Sequence, residues 1–149
     1  MKIHYKQLVK IESKSWSLKK PKPRWAIDIE EGKVLYLESL QFKISKNEKK
    51  LFSHNILEPN TRNISLNADG SIKGAVGTEE DVKALKALIL RFRNQATTLI
   101  FTAFPEYKPY LKLAPTSFRP LEVSDRVTSW RADDRRLHVD AFPSRPNYG

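Results

Sequence analysis

One segment of this chain can bury an apolar face in only one way. Thr78-Glu79-Glu80-Asp81 places a capping hydroxyl ahead of three acids, and Val82, Leu85, Leu88, Ile89 and Phe92 then recur at helical spacing. A threonine at the N-cap accepts from amides that lack a helical partner, and acids in the first turn offset the positive end of the helix dipole. The spacing predicts an amphipathic helix over residues 79–95 with a single core-facing stripe. Arg91 and Arg93 fall near its predicted C-terminal end, where cations are favoured. Nothing on this helix suggests chemistry; it is a packing element.

The segments around it read as short strands. Trp25-Ala26-Ile27-Asp28-Ile29 and Val34-Leu35-Tyr36-Leu37 are rich in strand formers and are joined through Glu30-Glu31-Gly32, which suits a hairpin or bend. Leu40, Phe42 and Ile44 alternate with Gln41 and Lys43, which predicts another strand. Residues 45–77 read as loops, with turns at Asn67-Ala68-Asp69-Gly70 and Lys73-Gly74 and an extended piece around residues 64–66. Thr97-Thr98-Leu99-Ile100-Phe101-Thr102-Ala103 is dense in β-formers and predicts a strand ended by Phe104-Pro105. Residues 126–130 and 136–142 read as two more strands about a turn at Ala132-Asp133-Asp134. The expected class is α+β, with the strands closing a sandwich or jelly roll. Residues 14–24 are polar, basic and broken by proline, so the expected organisation is a basic N-terminal arm (1–24) followed by one domain (25–149).

Several functions are excluded. Cysteine is absent, which removes disulfides, zinc–thiolate sites and thiol nucleophiles. No apolar run approaches the roughly 20 residues of a helical membrane span. The opening Met1-Lys2-Ile3-His4-Tyr5-Lys6 lacks the apolar block of a secretory signal, so the expected location is the cytoplasm. The formal net charge of +10 favours an anionic partner: nucleic acid, phospholipid surface or acidic sugar. The cations are segregated. Lysine dominates the first 50 residues, whereas after Lys112 only arginine follows, at Arg119, Arg126, Arg131, Arg135, Arg136 and Arg145. Arginine offers a fixed fork suited to carboxylate or phosphate, and lysine a hydrated point charge.

The chemistry-bearing stretch is Arg136-Leu137-His138-Val139-Asp140-Ala141-Phe142. On a strand, residues i and i+2 share a face, so the His138 imidazole and the Asp140 carboxylate would converge. Such a pair is two-thirds of the 2-His-1-carboxylate face that binds Fe(II) in oxygenases. The spacing alone favours the plainer reading, in which Asp140 orients His138 or pairs with a nearby arginine.

A larger block adds to that reading. Thr116-Ser117-Phe118-Arg119-Pro120 and the run Ser129-Trp130-Arg131-Ala132-Asp133-Asp134-Arg135-Arg136-Leu137-His138-Val139-Asp140-Ala141-Phe142-Pro143-Ser144-Arg145-Pro146 resemble the Kdo hydroxylases. These are Fe(II)- and 2-oxoglutarate-dependent dioxygenases acting on the 3-deoxy-octulosonic acid sugar of lipopolysaccharide. Residues 25–44 and the Lys73-Gly74 region are similar to the N-terminal part of that family. The resemblance implies a double-stranded β-helix (a cupin-like jelly roll), Fe(II) as cofactor, 2-oxoglutarate as co-substrate, and hydroxylation of Kdo-lipid A at C3. It makes His138 and Asp140 iron ligands and leaves Arg136 and Arg145, which flank them, as contacts for the substrate's anionic groups. Arg136 is equally explained by pairing with Asp133 or Asp134. It also implies a Gram-negative source and a peripheral place on the inner membrane.

The family needs a further histidine after the His-x-Asp strand. Here the other histidines, His4 and His54, lie upstream, and nine residues follow Asp140. The expectation is therefore the N-terminal portion of such an enzyme, with an incomplete β-helix and no activity alone. The alternative is a basic, non-catalytic domain that binds anionic lipid or nucleic acid. Nucleic acid is the weaker choice, because stacking aromatics interleaved with the cations are not evident.

Overall fold

A computed structural model of the chain describes residues 7–121. The strands expected at 126–130 and 136–142 lie outside the described residues. Within them the class is mixed helix and sheet, and the order is β1 (Leu8–Lys10), α1 (Pro23–Glu30), β2 (Val34–Tyr36), β3 (Ile64–Leu66), β4 (Ile72–Lys73), α2 (Glu79–Ala103) and β5 (Thr116–Phe118). Two 3-10 turns, Glu48–Leu51 and His54–Ile56, precede β3. The chain divides into two compact units. One holds Met1–Ile44 with Leu90–Leu111, the other Ser45–Ile89 with Lys112–Gly149.

In the first unit β1 and β2 pair in parallel, Leu8 opposite Val34 and Lys10 opposite Tyr36. The connection between them carries α1, so the expected strand at 25–29 is a helix and the expected hairpin does not form. Pro23 stands in its first turn, where a missing N–H costs nothing. Arg24 and Asp28 then meet one turn apart at 3.0 Å. Gly32, at φ +76°, ends the helix in the left-handed region, and its amide donates to the Ile29 carbonyl at 2.9 Å. Asp28 is buried and accepts from both Arg24 and Lys33.

The unit's core gathers Ala26, Ala103 and Phe104, with Leu18, Trp25, Leu35 and Tyr107 packed against them. A second cluster sets Trp16, Phe42 and Phe92 edge to face, with centroids 5.3–6.4 Å apart. The expected strand over 40–44 is irregular for a visible reason. The Gln41 carbonyl accepts from the Trp16 indole at 3.0 Å and the Lys43 carbonyl from Arg91 at 2.8 Å, so side chains take the backbone bonds a ladder would use.

The helix begins where the sequence places it. Thr78 Oγ1 accepts from the Asp81 amide at 3.1 Å, and Asp81 Oδ2 accepts from the Thr78 amide at 3.3 Å. It runs past 95 to Ala103, however, so residues 97–103 are helix and not strand. Ala103 is 1% exposed, and burial along this turn outweighs the local β preference of its Thr and Ile residues. Arg91 and Arg93 consequently stand mid-helix, and Phe92 is 39% exposed, so the buried stripe narrows to Leu85, Leu88 and Ile89.

The second unit is built on the sheet β4-β3-β5, antiparallel throughout. Ile64, Leu66 and Leu85 are its fully buried side chains, joined in the core by Leu51, Ile56, Leu88 and Ile89. Each such side chain contributes about 1.5–3 kcal/mol by leaving water. Phe52 and Phe118 add an edge-to-face pair at 5.0 Å.

Candidate functional site

His138, Asp140, Arg136 and Arg145 all lie outside the described residues, as does His4. Among the described residues, no group of three His, Asp or Glu side chains could hold a metal ion. His54 is exposed at the start of its 3-10 turn, where Ser53 Oγ caps by accepting from the Asn55 amide. It is a surface residue, as its isolation in the sequence suggests.

The described residues build a different feature on the second unit. Along β3 the residues alternate: Ile64 and Leu66 face the core, while Asn63, Ser65 and Asn67 fall on the other face. Ser65 stands opposite Lys73 of β4 on one side and Ser117 of β5 on the other. The Asn63 amide donates to both hydroxyls, Ser65 Oγ and Ser117 Oγ, each at 3.2 Å. One row across three strands therefore carries an ammonium and two serine hydroxyls, with the serines tied together by an amide.

A groove of about 550 Å³ lies over this face, lined by Glu58, Arg62, Asn63, Ser65, Lys73 and Gly74 among others. Its edge is shaped by a close backbone approach. Gly74 has φ +79°, and a Cβ there would come within 2.7 Å of the Asn63 carbonyl oxygen. At the hairpin tip Asp69 Oδ1 accepts from the Ser71 hydroxyl at 2.7 Å and the Ser71 amide at 2.8 Å. Those bonds, the hydroxyl first, hold the Asp69 carboxyl below its ordinary value, with the charge of Lys73 adding a smaller effect.

The sequence did not single out this row, although a signal for it was present. Arg62-Asn63-Ile64-Ser65-Leu66-Asn67 alternates amide or hydroxyl with aliphatic residues, the pattern of a strand with one wet face.

Comparison with known proteins gives a consistent picture. The model of the 3-deoxy-D-manno-oct-2-ulosonic acid (Kdo) hydroxylase family matches residues 13–149. No curated protein matches. Among solved structures, the chain is similar to the Kdo hydroxylase KdoO, a non-heme Fe(II) alphaketoglutarate dependent dioxygenase crystallised with alphaketoglutarate and Fe(III). The identity is 34% and the TM-score 0.77, over 93% of this chain and 47% of that one. The apo form of KdoO matches at 34% identity and TM-score 0.79, over 93% and 48%. Its complex with succinate and Fe(III) matches at 33% and 0.77, over 93% and 47%. The chain thus spans about half the length of the solved structures it matches.

Proposed function

The chain belongs to the Kdo hydroxylase family, and from that membership we propose that it forms part of an Fe(II)- and 2-oxoglutarate-dependent hydroxylase acting at C3 of the Kdo sugar in Kdo-lipid A. The observation that carries this reading is the family match itself, which runs through His138-Val139-Asp140. An imidazole and a carboxylate two residues apart are the right donors for Fe(II). Bound iron with 2-oxoglutarate and O2 supplies the oxidising power for hydroxylation. His138 and Asp140 hold and orient the metal; Arg136 and Arg145 take anionic groups of the substrate. The relatives' complexes with alphaketoglutarate, succinate and Fe(III) support the co-substrate and metal.

Two ligands make a weak iron site, and neither His4 nor the exposed His54 follows the His-x-Asp pair. In this reading a third ligand completes the metal site. The net charge of +10 suits an anionic substrate at the cytoplasmic face of a Gram-negative inner membrane.

The test is metal binding by this chain, followed with Mn(II) as a redox-stable probe. His138→Ala and Asp140→Ala are each expected to weaken it about tenfold or more, the scale of one lost charge-bearing contact. Unchanged binding in both variants overturns the assignment of the ligands.

A further inference from the structure

We propose that the groove over the β3 and β4 strands is a binding site for an acidic sugar, with the polyol read by Ser65 and by Asn63, whose amide Ser117 helps to hold in place, and the anionic group held by Arg62 and Lys73. A wet sheet face serving only solubility has no need to organise its hydroxyls. Here the Asn63 amide donates to both serines at 3.2 Å, which fixes the two oxygens as acceptors and leaves each O–H free to donate. Asn63 lines the groove, and its side-chain Oδ1 adds an acceptor. Paired donors and acceptors at fixed spacing are what vicinal sugar hydroxyls require, because each hydroxyl both gives and takes a hydrogen bond.

The charge has the same sense. Arg62 and Lys73 are both exposed and line the groove, and neither forms an ion pair with a described residue. Lys73 sits directly opposite Ser65 in the ladder, so its ammonium and the hydroxyl row start from one register position. Glu58 also lines the groove and can accept from sugar hydroxyls, which leaves the anionic end of the ligand to the cations. The volume, about 550 Å³, is within the range of small-molecule sites. Gly74 keeps the strand end close to Asn63 where any side chain would collide, so the wall of the groove depends on that glycine.

The inference rests on the hydroxylase reading and deepens it, since it gives that reading's acidic sugar contacts among the described residues. The acid could be a carboxylate or a phosphate, and the probes separate them. The full chain is titrated with Kdo, with glucosamine 1-phosphate and with neutral methyl glucoside, and binding is followed by calorimetry and by amide NMR shifts. At least one acidic probe is expected to bind in the millimolar range, more tightly than the neutral sugar. The double variant Arg62→Gln/Lys73→Gln should weaken it about tenfold or more, the scale of losing charge-assisted hydrogen bonds. Lys73→Arg should retain binding, and Ser65→Ala should weaken all sugars modestly and alike. Both cations are exposed, so unchanged circular dichroism and melting will show that the double variant is folded.

No binding of either acidic probe, equal binding of the neutral sugar, or a silent double variant overturns the proposal. Mn(II) binding separates it from the reading beneath it. If His138→Ala abolishes metal binding while the groove variants leave sugar binding unchanged, the hydroxylase reading stands and the groove assignment falls. If the groove variants abolish sugar binding while metal binding ignores His138, the reverse holds.

Discussion

Lys33 Nζ lies 2.9 Å from Asp28 Oδ1, a contact that ties the last turn of α1 to the residue leading into β2. Arg24 reaches the same oxygen at 3.0 Å, and the Asp28 side chain is only 4% exposed. The Lys33 hydrogen bond, ahead of the charges, holds the Asp28 carboxyl below its ordinary 3.8. Lys33 is raised above 10.5, first by its bond to Glu31 and then by Asp28. A lowered carboxyl contributes stability that is present above its ordinary value and lost as pH falls through the depressed one. A raised lysine contributes stability below its ordinary value, lost as pH rises through the raised one. The melting temperature should therefore hold through neutral pH and decline in acid below about 3.8. Asp28→Asn should lower it at neutral pH and flatten that decline. Thermal melts of both proteins across the acid range check this, and parallel curves would count against the role given to Asp28.

Gly74→Ala should destabilise the second unit by about 2 kcal/mol or more, because it adds the left-handed backbone penalty to a collision with the Asn63 carbonyl. The obstructing atom is backbone, so no side chain can swing aside. Gly70→Ala shares the positive φ but meets nothing within 4 Å. It should cost less, about 1 kcal/mol. Denaturant titrations of the two variants measure the difference, and equal costs would remove the close approach as its cause.

Thr78→Ala should cost about 1 kcal/mol by freeing the Asp81 amide at the start of α2. Thr78→Ser keeps the hydroxyl and should restore most of it. Hydrogen exchange at the first turn of α2 locates the effect, and a loss that Ser fails to recover would mean that the methyl group, not the cap, was responsible.

The sequence was legible where one local rule acted without opposition. The capping pair Thr78 and Asp81, the Asn67–Gly70 turn and the strands at 34–36 and 64–66 stand as read. It misled where two rules competed. Trp25-Ala26-Ile27-Asp28-Ile29 alternates like a strand, yet Pro23 at the helix start and the Arg24–Asp28 pair one turn apart favour the helix, and both are visible in the sequence. At 97–103 the β-formers are overruled by burial of Ala103 and Phe104 against Ala26, a contact between residues far apart in the chain. The serine row was legible only in part: the wet face of β3 shows in the alternation over residues 63–67, but Ser65 meets Ser117 only after the fold brings β5 alongside β3. The His138 and Asp140 pair was the opposite case, named by sequence pattern and family likeness and lying outside the described residues.

The parallel pairing of β1 with β2 has a consequence in time as well as in space. Leu8 is made long before Val34, and all of α1 is synthesised between them. Unlike a hairpin, this ladder cannot zip from a turn; a long loop must close before its first hydrogen bond forms. The amides of β1 should therefore gain protection during folding after those of α1, whose hydrogen bonds are local and close no long loop.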